Sequence, residues 1–142
     1  MASLLIGPYL DAVKACLATV TPAFGRIRIG DAAPIASLEA FVLPVKTDFP
    51  NEGEGSTRGQ VHEILVRLAV TGTDPEALTQ LCLQTVQAVD AALEDWTAWP
   101  LDVPSTMYAF VAGHNYGPMF QKGAGLAYWP EITLRLYAVE VS

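Results

Sequence analysis

Two histidines, two cysteines and one dense group of carboxylates are the residues of this chain whose types could do chemistry. A serine or cysteine nucleophile needs a base within hydrogen-bond reach and a third group to orient that base. His62 opens an expected strand and His114 falls in an expected loop, and no pattern such as G-x-S-x-G accompanies them. Both read as surface or partly buried histidines. Cys16 and Cys82 are widely spaced, lie on the apolar faces of expected helices and have no histidine neighbours. They read as reduced core residues of a cytoplasmic protein, not as a zinc site or a redox pair. Asp48, Glu52 and Glu54 offer oxygen ligands that suit a hard cation such as Ca²⁺, but without the fixed alternating offsets and closing glutamate of an EF-hand loop. A solvated acidic loop is the expectation. Gly53-x-Gly55 and Gly123-x-Gly125 lack the further glycine, preceding strand and following helix that aim backbone N–H groups at a pyrophosphate. No catalytic, cofactor-binding or metal-binding residue is assigned, and the chain is not expected to be an enzyme.

With chemistry set aside, composition bears on partners. Fifteen acidic residues against eight basic ones give a net charge of −7, which opposes binding to phosphate backbones and anionic membranes. No stretch approaches the length of a membrane-spanning helix, and the first residues lack a basic segment followed by an apolar run. Hydrophobic residues make up 51% of the chain and charged ones only 16%. That balance is apolar for a soluble monomer and predicts apolar surface turned toward a partner. The 142 residues match one domain with one core, large enough to fold without disulfides or metal.

The elements that must position any site follow from periodicity. Leu10, Val13, Leu17 and Val20 mark an amphipathic helix over residues 4–20, closed by Pro22. Arg26-Ile27-Arg28-Ile29 alternates as a half-exposed strand, Gly30-Asp31 turns the chain, and a hairpin partner is expected over 35–45. Residues 47–60 have no apolar period and read as a long acidic loop, functional or ordered on binding. Ile64, Val66, Leu68 and Val70 then define a strand with one core face. Asp74 as N-cap and Pro75 at the first helical position open a long helix that keeps one apolar stripe from Leu78 to Trp96. A short strand is expected over 107–111 and a long one over 131–141, with an adaptable surface loop between them. Trp96, Trp99 and Trp129 are either edges of the core or anchors for a neighbouring subunit. The sum is an α+β fold, an antiparallel sheet of four to five strands with two helices packed on one face.

This order of elements resembles the tail terminator and tail completion proteins of long-tailed bacteriophages. The likeness rests on the N-terminal helix, the hairpin after it, the loop Glu52-Gly53-Glu54-Gly55, the strand from Val61 to Leu68, the helix opened by Asp74-Pro75 and the strand from Ile132 to Tyr137. It implies a virion protein of the tail-neck region, assembled in the host cytoplasm. In that role a homo-hexameric ring caps the tail tube, ends its polymerisation and meets the head-neck connector proteins. DNA would pass through such a ring without specific binding, since acidic walls repel phosphate. The expected partner-binding residues are Asp48, Phe49, Glu52, Glu54 and Arg58 of one loop and His114, Tyr116, Met119, Phe120, Lys122 and Trp129 of the other. Two alternatives stay open: a head-closure or neck connector protein of the same particle, and a small-molecule-binding domain with a pocket between helices and sheet and His114 or Tyr116 at its mouth.

Overall fold

The computed structural model describes residues 6–34, 37–49, 57–101 and 106–141. Helix α1 covers Gly7–Leu17 and helix α2 Pro75–Glu94, followed by a 3₁₀ turn at Trp96–Ala98. Among the described residues seven strands form one sheet: β1 (Arg26–Ile29), β2 (Leu38–Asp48), β3 (Thr57–Gly72), β4 (Thr106–Asn115), β5 (Phe120–Lys122), β6 (Gly125–Tyr128) and β7 (Glu131–Val141). This is the expected α+β class with more strands than expected.

The two additional strands come from the connection after β4, which had read as a loop. Phe120, Gln121 and Lys122 pair with Ala127, Leu126 and Gly125 across a two-residue turn, and Gly123 at its first position has φ +59°. Such turns need a residue that tolerates positive φ, so Gly123 marks a hairpin tip and not a flexible linker. β4 and β5 on one side and β6 and β7 on the other thus run as one long interrupted hairpin. Its second arm breaks at Trp129-Pro130, because proline has no N–H to give the ladder. The Pro130 carbonyl still accepts from the Leu68 N–H at 2.8 Å, which keeps the arm attached to β3.

β3 is the central strand. It pairs with β2 along one edge, and along the other with β7 over residues 57–67 and with β6 over residues 70–72. Its even-numbered residues Ile64, Val66, Leu68 and Val70 are fully buried beside Ala40 and Val42 of β2 and Ile132, Leu134 and Leu136 of β7. Both helices cover this face. α1 lies over β1 and β2, α2 crosses β3, β4 and β6, and the helices meet where the Cys16 Sγ and the Trp99 indole N–H both reach the Ala92 carbonyl. The Asp74 carboxylate accepts from the Ala77 N–H at 2.9 Å, so α2 starts with the cap that the sequence predicts.

Two expectations are corrected. β1 does not form a hairpin with β2 but pairs with it in parallel, Arg26 opposite Glu39 and Ile29 opposite Val42. The chain after Gly30 laps back across the helix-free face, where Asp31 bonds Arg67 and the Ala33 carbonyl accepts from Arg26. Gly-Asp supplies a bend in either topology, and only the tertiary anchor at Arg67 fixes the direction of return. The acidic loop is also shorter than expected: β2 runs to Asp48 and β3 begins at Thr57, because cross-strand pairing extends past the last apolar residue.

Leu134 lies in the middle of β7, fully buried between two paired strands. Leu134→Ala should lower unfolding stability by about 2–5 kcal/mol, measured by urea titration with an unchanged m-value.

Candidate functional site

The helix-free face of the sheet is where exposed chemistry collects. Odd-numbered positions of β3, of β7 and of β2 before its bulge at Pro44 point here, and the register sets Glu39, Phe41, Arg67, Ala69 and Glu131 near one another. Arg67 bonds Asp31 at 3.0 Å and Glu131 at 3.3 Å. Arg26 pairs with the fully buried Glu39 and places its guanidinium 5.6 Å from the centre of the Phe41 ring. A buried carboxylate must be compensated, and Arg26 does this while covering an apolar ring that would otherwise face solvent. Lys122 of the β5–β6 hairpin, Trp129 and the segment Asp31–Pro34 close a recess of about 520 Å³ over Phe41 and Ala69.

Further along the same face, Tyr108 stacks on Phe110 at 5.9 Å and on Tyr137 at 5.4 Å, forming an aromatic ladder at the β4 margin. Tyr108 is 48% exposed and Phe110 37%. Arg135 on β7 bonds Glu63 at 3.3 Å beside it.

The expected partner residues fall into separate groups. Phe120, Lys122 and Trp129 come together on the hairpin, with Phe120 edge-on to Trp129 at 5.0 Å. Asp48 ends β2 and pairs with Lys46, and Phe49 follows it with 39% exposure. Arg58 lies on β3 opposite Glu140 and not in a loop. Glu52 and Glu54 lie outside the described residues. His114 belongs to β4, not to a loop, and faces the helices: its Nε2 is 2.6 Å from the Asp90 carboxylate of α2, and its Nδ1 3.4 Å from the Tyr116 hydroxyl. Tyr116 and Met119 remain exposed between β4 and β5. Neither His114 nor Tyr116 lines the recess, which lies on the face opposite the one expected for a pocket. Sequence reasoning missed Asp31, Phe41, Arg67, Tyr108, Phe110 and Tyr137. The signal available was the odd parity of Arg67 against the even core positions of β3.

Three of the groups that looked reactive by type are withdrawn from solvent. Cys16 and Cys82 are buried, and burial pushes both thiols up to about 11, with the Asp95 carboxylate adding to the shift at Cys16. His62 is fully buried rather than at the surface, 4.9 Å from the Tyr9 ring and 2.8 Å from the Thr47 hydroxyl, and burial lowers its pKa. Among the described residues the Gln60 Oε1 and His62 Nε2 atoms have no hydrogen-bond partner. Among the same residues no group of three or more His, Cys, Asp or Glu side chains is placed to hold a metal ion, and no helix is long and apolar enough to cross a membrane.

Comparison with known proteins finds no matching family model and no matching curated protein. Among solved structures the fold matches a chain described as "Virion of native gene transfer agent (GTA) particle". The match has 12% sequence identity and a TM-score of 0.53, covering 90% of this chain and 84% of that one. At this identity the likeness establishes a shared fold.

Two measurements check the inert reading. In the unfolded chain His62 regains the ordinary value of 6.5, above its folded value, so its contribution to stability is complete above pH 6.5. As pH falls through 6.5 the unfolded chain takes up a proton that the folded one refuses, and stability declines until the lower folded value is passed. The melting temperature should therefore drop between about pH 7 and pH 5, and the drop should be smaller in His62→Gln, a variant less stable at every pH. Iodoacetamide at about pH 8 should leave both thiols of the native protein unmodified for hours and alkylate both once the chain is unfolded in urea.

Proposed function

We propose that this chain is a structural protein of a tailed, phage-like particle. It forms a homo-hexameric ring at the head-proximal end of the tail tube, ends tail polymerisation and joins the tail to the head-neck connector proteins. The observation that carries the reading is the fold shared with a chain of a gene transfer agent virion over 90% of the present sequence. It agrees with the resemblance of the element order to tail terminator proteins. The character of the surfaces supports the same reading: both thiols and the His62 imidazole are buried, while Tyr108, Phe110, Trp129, Tyr116 and Met119 are left at 37–48% exposure. Exposed aromatics and methionine on a rigid sheet serve protein contacts, and rings need two such surfaces on each subunit. The net charge of −7 suits a ring through which DNA passes without adhering. No catalytic step is assigned.

A head-closure or neck connector role in the same particle draws equal support from the shared fold, and particle morphology separates the two. Particles assembled without this protein should accumulate tails of uncontrolled length that fail to join heads, as seen by negative-stain microscopy. Tails of normal length beside heads that lose their DNA would replace the terminator reading with the head-closure one.

A further inference from the structure

β4 is an outer strand of the sheet: one edge pairs with β7, and the other pairs with no strand among the described residues. An open edge offers a ladder to any extended chain, and folded proteins blunt such edges with short strands, proline, charge or bulges. The other outer strands are blunted in these ways. β1 has four residues, two of them Arg26 and Arg28, and β5 has three, ending in Lys122. The part of β2 that β1 leaves unpaired carries a bulge at Pro44, with Lys46 and Asp48 beyond it. β4 runs from Thr106 to Asn115, and as far as Gly113 its sequence holds neither charge nor proline. Tyr108, Phe110 and Val111 are strong β-formers, and an uncharged window of this kind readily pairs with a copy of itself.

Register shifts before Tyr108 and after Val111 leave one regular stretch in β4, residues 108–111. Within it the Val111 N–H donates to the Glu94 carboxylate at 2.9 Å. Glu94 is the exposed last residue of α2. An N–H held by a helix side chain is not turned to β7. Backbone groups alternate along an antiparallel strand, so Ala109 and Val111 direct theirs to the open edge, while Tyr108 and Phe110 direct theirs to β7. Of the two outward donors in the regular stretch, Glu94 occupies one.

We propose that Glu94 is a guard that keeps the β4 edge of one copy of this chain from pairing with the β4 edge of a second copy. The outward groups set the register of the pairing it prevents. Antiparallel strands that use both Ala109 and Val111 of each copy place Ala109 opposite Val111 of the second copy, and Phe110 opposite Phe110 across a two-fold axis. The two sheets would then be continuous, the phenyl rings would meet on the helix-free face, and Tyr108 of each copy would lie diagonal to them. Each copy must give its Val111 N–H to this ladder, so the edge stays shut while Glu94 holds that group. A helix side chain thus closes an edge that the sequence of the strand leaves open. The guard goes beyond the proposed role in the particle and does not rest on it.

The test places a reporter thiol on the two-fold axis. Phe110→Cys would meet its counterpart with Cα atoms about 4.5 Å apart, within the span of a disulfide, whereas Tyr108→Cys would face Ala112. Cys16 and Cys82 are buried, with thiols pushed up to about 11, and do not compete. Under mild oxidation followed on non-reducing gels, adding Glu94→Ala should speed the covalent dimer of Phe110→Cys by at least about tenfold and leave Tyr108→Cys unchanged. Glu94→Gln should keep the slow rate, because its carboxamide oxygen still accepts from the Val111 N–H. An unchanged rate with Glu94→Ala would overturn the proposal. So would dimers of Tyr108→Cys that form as fast as those of Phe110→Cys, since association would then have no register. Amide hydrogen exchange of the unaltered protein needs no variant to fold: Val111 should exchange at least about tenfold more slowly than Ala109. Equal rates at the two amides would mean that Glu94 does not single out the Val111 donor, and would overturn the guard.

Discussion

The pairing of β3 on both of its edges is the constraint from which the rest of this structure follows. Sixteen residues of one strand serve β2 along one side and β7 and then β6 along the other. Side chains alternate along a strand, so this pairing commits the even residues of β3 to the helices and the odd ones to the opposite face. A slip of one residue would bring Glu63 and Arg67 into the core and expel Ile64 and Val66, a cost no other contact could offset. The register is therefore fixed by which face of β3 must be buried. The helices then bury the face that remains apolar.

That commitment leaves the sheet two-sided. On the covered face the apolar layer gives way at one end to polar groups, where His62 packs against Tyr9 of α1, bonds Thr47 and lies two residues along β3 from the buried Gln60. On the bare face burial is partial and comes from short pieces. The return segment after β1 brings Asp31 to Arg67, Arg26 compensates Glu39, and the β5–β6 hairpin curls Phe120 and Trp129 over one end. These pieces shelter Phe41, Ala69 and Ala127 completely while leaving Tyr108, Phe110 and Trp129 in contact with solvent. A face built in this way has shape, charge and aromatic area. Its ion pairs join residues within and between strands, and one ties the segment after β1 to β3, instead of converging on a reacting atom.

The distribution of titratable groups points in the same direction. Thiols and one imidazole are withdrawn into the core, where burial favours their neutral forms. The other imidazole is engaged with Asp90, which ties β4 to α2. What remains on the bare face is a set of ion pairs beside exposed aromatic area.

Periodicity and punctuation alone determined much of the fold. The bounds of β7 and α2, the Asp74 cap and the core parity of β3 could be read directly, because each depends on side chains close in sequence. The same local signals misled where pairing was non-local. Residues 114–128 lack any apolar alternation, yet β5 and β6 form there because a neighbouring strand offers a ladder and Gly123 permits the turn. Gly30-Asp31 announces a bend, but the parallel pairing of β1 with β2 goes with a return across the sheet in which Arg67, thirty-six residues away, donates to Asp31. The expected surface residues Phe120, Lys122 and Trp129 were legible as exposed, while their companions Phe41, Arg67 and Tyr108 were not. Exposure is a property of one residue and its neighbours in sequence, whereas a face is assembled from strands whose register only the closed sheet decides.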